Sequence, residues 1–170
     1  MRRSGRTLRQ RLQQLRLVGE QLYRARYFRG HGVHSPYVYG IVRRVFMQCK
    51  LTAPTTDLYD ALMARGVARK RCVQLQNLMA HCGYREWSMD GMASCDMLLC
   101  TLAVSPSELR HYAAYAREHG TTLCVLDPYK GSERRDMCRA IVAEHPSTTV
   151  DNRAYLLVFN NHLPKQKFIL

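Results

Sequence analysis

Two histidines, His31 and His34, stand in the run Gly30-His31-Gly32-Val33-His34-Ser35-Pro36-Tyr37. Imidazole titrates near neutrality and ligates transition metals, so such a pair can move a proton or hold an ion. A metal centre needs three or four ligands, and no third or fourth stands nearby at a fitting spacing, so no metal site is expected. Two other uses of the run are chemically sound. The glycines allow close backbone approach, and the histidines can tie the loop to a neighbouring surface by hydrogen bonds. Around them Tyr23, Tyr27, Phe28, Tyr37 and Tyr39 interleave with Arg24, Arg26 and Arg29. That pattern suits stacking of bases beside phosphate-binding guanidinium groups, and equally suits filling a hinge between two elements. The expected binding surface is Arg24, Arg26, Arg29, His31, His34 and Tyr37.

Elsewhere the reactive residues are scattered. Asp127 follows an apolar run and falls at the carboxyl end of an expected strand, where open α/β sheets bind ligands, although aspartate also caps turns. The seven cysteines form no compact framework. An odd, dispersed set fits reduced thiols in a cytoplasm, several of them small core residues.

The elements that would position these groups follow from periodicity. Leu8, Leu12, Leu15, Val18 and Leu22 recur at helical spacing through residues 7–27, with arginine and glutamine between them. Ser35 and Pro36 suit the N-cap and first turn of a helix running to Phe46. Further helices are expected over residues 57–65 and 68–81, each followed by glycine. Residues 84–89 form a weak strand candidate and 95–102 a strong one, apolar enough to be buried on both faces. A helix beginning at Ser105 carries a capping box with Glu108. Residues 121–127 then read as a strand, 132–144 as a helix, and 148–151, 155–159 and 167–170 as strands. Alternation of this kind predicts a mostly parallel sheet, and the short turn before 167–170 predicts that the last two strands are antiparallel neighbours. The chain divides into a basic helical arm with its Gly/His junction, 1–50, and an α/β domain, 51–170.

Charge points to the class of partner. The formal net charge is +13, and residues 1–30 alone hold nine arginines against the single acid Glu20. Such an arm favours an anionic partner, nucleic acid, an acidic protein or anionic lipid, with nucleic acid the first to test, and equally suits a solvated charged face. A hydrophobic fraction of 46% with 23% charged residues is a globular composition, which excludes a wholly disordered chain. No run approaches the roughly 18 apolar residues of a membrane-spanning helix, so a cytoplasmic protein is expected.

The segment Arg29-Gly30-His31-Gly32-Val33-His34-Ser35-Pro36-Tyr37-Val38-Tyr39, with Val45-Phe46 after it, resembles the N-terminal signature of a bacterial family of class I S-adenosylmethionine-dependent methyltransferase-like proteins common in Bacteroidetes. The last 75 or so residues resemble it again. The resemblance implies a Rossmann-like sheet in which 95–102 is the fourth strand, 121–127 the fifth, 155–160 the sixth and 167–170 a reversed seventh lying between the fifth and sixth. It also implies an acidic pair where this chain has Asp127-Pro128.

The family's donor site needs a glycine-rich turn after the first strand. Here that region, Trp87-Ser88-Met89-Asp90-Gly91-Met92-Ala93-Ser94, has one glycine, and five residues separate Met89 from Cys95. That interval is too short for a crossover helix and two further strands, so half the nucleotide-binding sheet is missing. The expectation is therefore a truncated Rossmann-like α/β fold with an N-terminal helical arm. Its function is that of a degenerate, non-catalytic relative acting in binding, with no cofactor. The alternative is an S-adenosylmethionine-dependent methyltransferase with an unorthodox cofactor site, lined by Gly30, Gly32 and Asp127 or completed by a partner. Loss of the outer strands leaves a bare sheet edge, from which a covering by helices 57–82 or a homodimer is expected.

Overall fold

A computed structural model describes residues 34–170. The expected helix over 7–27, and with it Arg24, Arg26, Arg29, Gly30, His31 and Gly32, lies outside the described residues.

Ser35 starts the first helix as its type suggests. Its backbone is extended, its hydroxyl accepts from the Val38 N–H at 3.4 Å, and Pro36 takes the first helical position. This helix, α1 (Pro36–Ile41), passes into a π-helical turn, Val42–Phe46, closed by the Met47 N–H reaching back to the Val42 carbonyl at 3.1 Å. The wide turn inserts Val42, Val45 and Phe46 into the core and leaves Arg43 and Arg44 side by side on the surface.

Helices α2 (Asp57–Ala64) and α3 (Arg69–Cys82) follow. Gly83 ends α3 in the left-handed conformation, at φ 72°. The stripe Cys72, Leu75, Leu78 and Met79 faces the core, but α3 is buried on its other sides too, and three amides there satisfy the backbone of its neighbours. Gln74 donates to the Phe46 carbonyl at 2.8 Å, Gln76 accepts from the Tyr59 N–H at 2.9 Å, and Asn77 donates to the Lys50 carbonyl at 2.9 Å. These bonds hold the segment between the π turn and α2, which has no regular structure of its own.

The sheet has six strands: β1 (Trp87–Met89), β2 (Met97–Cys100), β3 (Thr122–Leu126), β4 (Thr149–Asp151), β5 (Tyr155–Val158) and β6 (Lys167–Ile169). Their spatial order is β1-β2-β3-β5-β4-β6. The strands β1, β2 and β3 pair in parallel, β5 is antiparallel to both β3 and β4, and β6 is parallel to β4. This is a mixed, mostly parallel α/β sheet with one reversed strand.

Two expectations about the C-terminus are corrected. The reversed strand is β5, not the final one, and the last two strands are not neighbours. The turn at Asn152 to Ala154, with Arg153 at φ 57° and the Asn152 N–H donating to the Tyr155 carbonyl at 3.0 Å, folds β5 straight back on β4. With β3 on its other side, β5 has no free edge. The chain after it crosses beneath β4, where the Ser147 hydroxyl lies 3.0 Å from both the Asn161 and Leu163 carbonyls, and β6 takes the only edge left on that side.

Helices cover both faces. Met97, Leu99, Cys124, Leu126, Val150, Tyr155 and Leu157 pack against α1, the π turn, α2 and α3. On the opposite face, Leu98, Cys100, Leu123, Val125, Leu156 and Val158 pack against α4 (Leu109–Glu118) and α5 (Ser132–Glu144). The helix expected from Ser105 begins four residues later, at Leu109, and the reciprocal Ser105–Glu108 bonds close the turn before it: Ser105 N–H donates to Glu108 Oε2 at 2.9 Å and Glu108 N–H to Ser105 Oγ at 3.4 Å. Among the described residues, no helix is long and apolar enough to cross a membrane.

Candidate functional site

The carboxyl ends of the parallel strands gather the unusual backbone. Asp90 after β1, Asp127 after β3 and Arg153 before β5 all have positive φ, at 59°, 47° and 57°. Non-glycine residues seldom adopt this region, and when they do their surroundings hold them there. For Asp90 the holding bonds are plain. Its carboxylate accepts from the Thr101 N–H, the Thr101 hydroxyl and Arg65 Nη1, each at 2.7 Å, and its carbonyl accepts from the Tyr112 hydroxyl at 2.8 Å. It works as a clasp across the ends of β1 and β2. Asp127 is exposed; its N–H donates to the Ala154 carbonyl at 2.9 Å and its carbonyl accepts from Lys130 at 3.0 Å. Beside it, the Tyr129 hydroxyl donates to the Asp151 carboxylate.

At the carboxyl ends of β2 and β3 lies Arg134, in the first turn of α5 and only 3% exposed. Its Nε donates to the Leu126 carbonyl at 3.3 Å and its Nη1 to that of Val104 at 2.8 Å. Its Nη2 donates to Thr101, Leu126 and Cys100 carbonyls at 2.8, 3.0 and 3.2 Å. The planar guanidinium therefore closes the carboxyl ends of β2 and β3 with charge-assisted bonds to carbonyl dipoles. Among the described residues, no carboxylate pairs with it. The carboxyl ends of strands are where open α/β sheets take their ligands, and here Arg134 bonds to the carbonyls of β2 and β3 at that end. Two thiols lie close by on the α4/α5 face. Burial pushes the Cys138 thiol up to about 11 and Cys100 higher still, against the opposing influence of Arg134, so both remain inert packing residues.

The junction residues are at the other end of the sheet. Tyr37 packs edge-on to Phe159, with ring centroids 5.4 Å apart, and its hydroxyl lies 3.7 Å from Cys82 Sγ. Tyr84, whose hydroxyl is 2.6 Å from Thr122 Oγ1, completes the group. Burial first, then Cys82 and Tyr84, push the Tyr37 phenol well above its ordinary range; burial and Cys82 push Tyr84 up to about 12, and burial raises the Cys82 thiol. None of the three ionises near neutrality. Thr122 opens β3 and Asp127 follows its end, so Tyr37 and Asp127 are separated by the height of the strand, roughly 16 Å at about 3.3 Å per residue. His34 is exposed at the start of the described chain, one residue before the α1 cap. The structure does not bring the junction residues it describes together with Asp127.

Arg134 and Asp90 are the residues that sequence reasoning passed over. Arg134 reads as one more charge on an amphipathic helix, and its first-turn position is unfavourable for a cation by helix polarity, which was the one available signal. Asp90 stands in the single-glycine turn after β1, and nothing local distinguishes it from a turn aspartate. Among the described residues, no three His, Cys, Asp or Glu side chains are grouped to hold a metal ion. In comparisons with known proteins, no family model, no curated protein and no solved structure matches the chain.

Proposed function

We propose that this chain is a degenerate, non-catalytic relative of the class I S-adenosylmethionine-dependent methyltransferases that acts by binding an anionic partner, nucleic acid foremost. The observation that carries the reading is Arg134, whose buried guanidinium bonds to the carbonyls at the carboxyl ends of β2 and β3, the end of the sheet at which an enzyme of that class would take its donor. A mostly parallel α/β sheet with one reversed strand supports the kinship in outline, although the reversed strand is β5, where the resemblance implies the sixth, and residues 167–169 lie at the edge beside β4 instead of between the fifth and sixth strands. Only β1 precedes β2 in that sheet, which supports truncation of the donor half. The formal charge of +13 supports an anionic partner, and seven free cysteines support a reducing compartment such as the cytoplasm.

Two measurements on the full chain test this. Isothermal titration with S-adenosylmethionine and with its demethylated product is expected to give no heat. Micromolar binding of either would restore the enzyme reading, with a donor site away from Arg134 or completed by a partner. A salt titration of binding to single-stranded RNA and duplex DNA is expected to show affinity that falls steeply with salt, and more weakly after Arg24, Arg26 and Arg29 are replaced by alanine. If the chain binds neither at low salt, the nucleic-acid function is wrong.

A further inference from the structure

We infer that the outward face of α1 and its π turn, formed by Tyr39, Arg43 and Arg44, is a contact surface for single-stranded nucleic acid; this rests on the binding function proposed above and locates part of it on the body of the protein.

Tyr39 is 45% exposed, and among the described residues its ring and hydroxyl have no partner. Arg43, four residues on, shares its side of the helix. Arg43 Nη1 touches only the Met47 sulfur, at 3.9 Å, and Arg44 is equally at the surface because the π turn places both outward. Among the described residues neither guanidinium pairs with a carboxylate, whereas Arg65, Arg110, Arg135 and Arg139 each do. His81 stands against this helix at Gly40. A Cβ at Gly40 would stand 3.5 Å from its Nε2, and desolvation followed by the Arg44 charge holds its imidazole below the ordinary histidine range. The face is thus cationic without internal neutralisation, next to an unused aromatic ring, and it continues in sequence from the nine-arginine segment.

Two adjacent guanidinium groups can each pair with phosphate oxygens, and a free phenol ring offers a stacking surface that an unpaired base can use and a duplex cannot. A lipid surface fits poorly. The apolar side chains Val38, Ile41, Val42, Val45 and Phe46 are already buried in the core, and the exposed Met47 and Tyr39 are too little to make a stripe that inserts.

The test is fluorescence anisotropy of the full chain with labelled oligouridylate and with a labelled RNA hairpin duplex, across a salt series. Relative to the unsubstituted chain, Arg43→Ala/Arg44→Ala is expected to bind the single strand at least tenfold more weakly at low salt. Its log–log salt slope should be shallower by about 1.4, at roughly 0.7 per lost phosphate contact. Tyr39→Ala should lose about tenfold on the single strand alone, and Tyr39→Phe should bind as the parent does. All three side chains are exposed, so melting temperatures should not change, and a variant that melts lower is replaced by Arg43→Gln/Arg44→Gln. If the parent binds RNA and the double variant keeps its affinity and slope, this surface is wrong while the binding function stands. If both RNAs weaken equally and Tyr39→Ala has no effect, the face is a general anion patch and the single-strand assignment is overturned. Displacement of the RNA by polyglutamate at equal charge concentration also overturns it, in favour of an acidic protein. Failure of the parent to bind either RNA removes the proposed function as well.

Discussion

Arg134 Nη2 donates to the Thr101 carbonyl at 2.8 Å, tying the first turn of α5 to the residue that follows β2. The same guanidinium reaches the Leu126 carbonyl at the end of β3. One side chain therefore joins two strands and a helix through carbonyls at the strand ends.

Replacing Arg134 by methionine removes a charged donor from the Cys100, Val104 and Leu126 carbonyls, while Thr101 keeps the Val104 N–H at 3.4 Å. Urea denaturation should show a loss of about 3 kcal/mol, the scale of several charge-assisted bonds with partial relaxation. Arg134→Lys should recover only part of it, because an ammonium cannot reach carbonyls on three sides in one plane. A neutral result for methionine would mean that the carbonyls find water and that the guanidinium is not a clasp.

Asp90 should matter more than its ion pair. The carboxylate is bound by both Thr101 groups, so Asp90→Ala should cost about 2 kcal/mol, with loss of the bonds and strain at φ 59° acting together. Its partner Arg65 has a side chain 50% exposed, and Arg65→Ala should cost well under about 1 kcal/mol. Equal losses from the two variants would show that the salt bridge, not the Thr101 bonds, holds the turn.

Acid should destabilise the fold through two histidines. Burial lowers both His145, whose Nε2 is 2.8 Å from the Phe159 carbonyl, and His81, with nearby cationic side chains reinforcing the shift. An unfolded histidine titrates near 6.5 and binds protons in a range where the folded ones do not. The unfolded state then holds more protons, so stability is complete above about pH 6.5 and falls as the pH drops from there through the depressed folded values. Urea midpoints measured between pH 7.5 and pH 5 should decline, and His145→Gln should flatten the decline. Asp57, lowered chiefly by the Trp87 indole that donates to it at 2.5 Å, acts in a separate, more acidic window: its contribution is present above about pH 4 and lost below.

Gly83→Ala isolates backbone strain. An added Cβ would meet nothing within 4 Å, yet φ is 72°, so the loss should be about 1 kcal/mol and come wholly from the left-handed conformation. Gly83→Asn should lose less, since asparagine tolerates that region better. If alanine melts with the parent, the turn relaxes and the cap is not rigid.

Much of the fold was legible wherever the cause is local. Ser35 with Pro36, Ser105 with Glu108, and Gly83 act within one turn of chain, and the structure shows each doing what its type implies. The helix expected over 132–144 is Ser132–Glu144, and the apolar runs around Leu99 and Val125 are the buried strands β2 and β3. What sequence alone left undecided depends on which partners remain free once other elements have paired. Residues 167–170 have strand character whichever edge they join, and the tight Asn152 to Ala154 turn decides the matter by placing β5 between β3 and β4. The π turn likewise has no local signature, and it sends Arg43 and Arg44 outward together only because Val42, Val45 and Phe46 must all reach the core. Arg134 carries a charge that any sequence reading places in water. Its burial is set by carbonyls from Cys100, Thr101, Val104 and Leu126, which come together at the strand ends only after the sheet has formed.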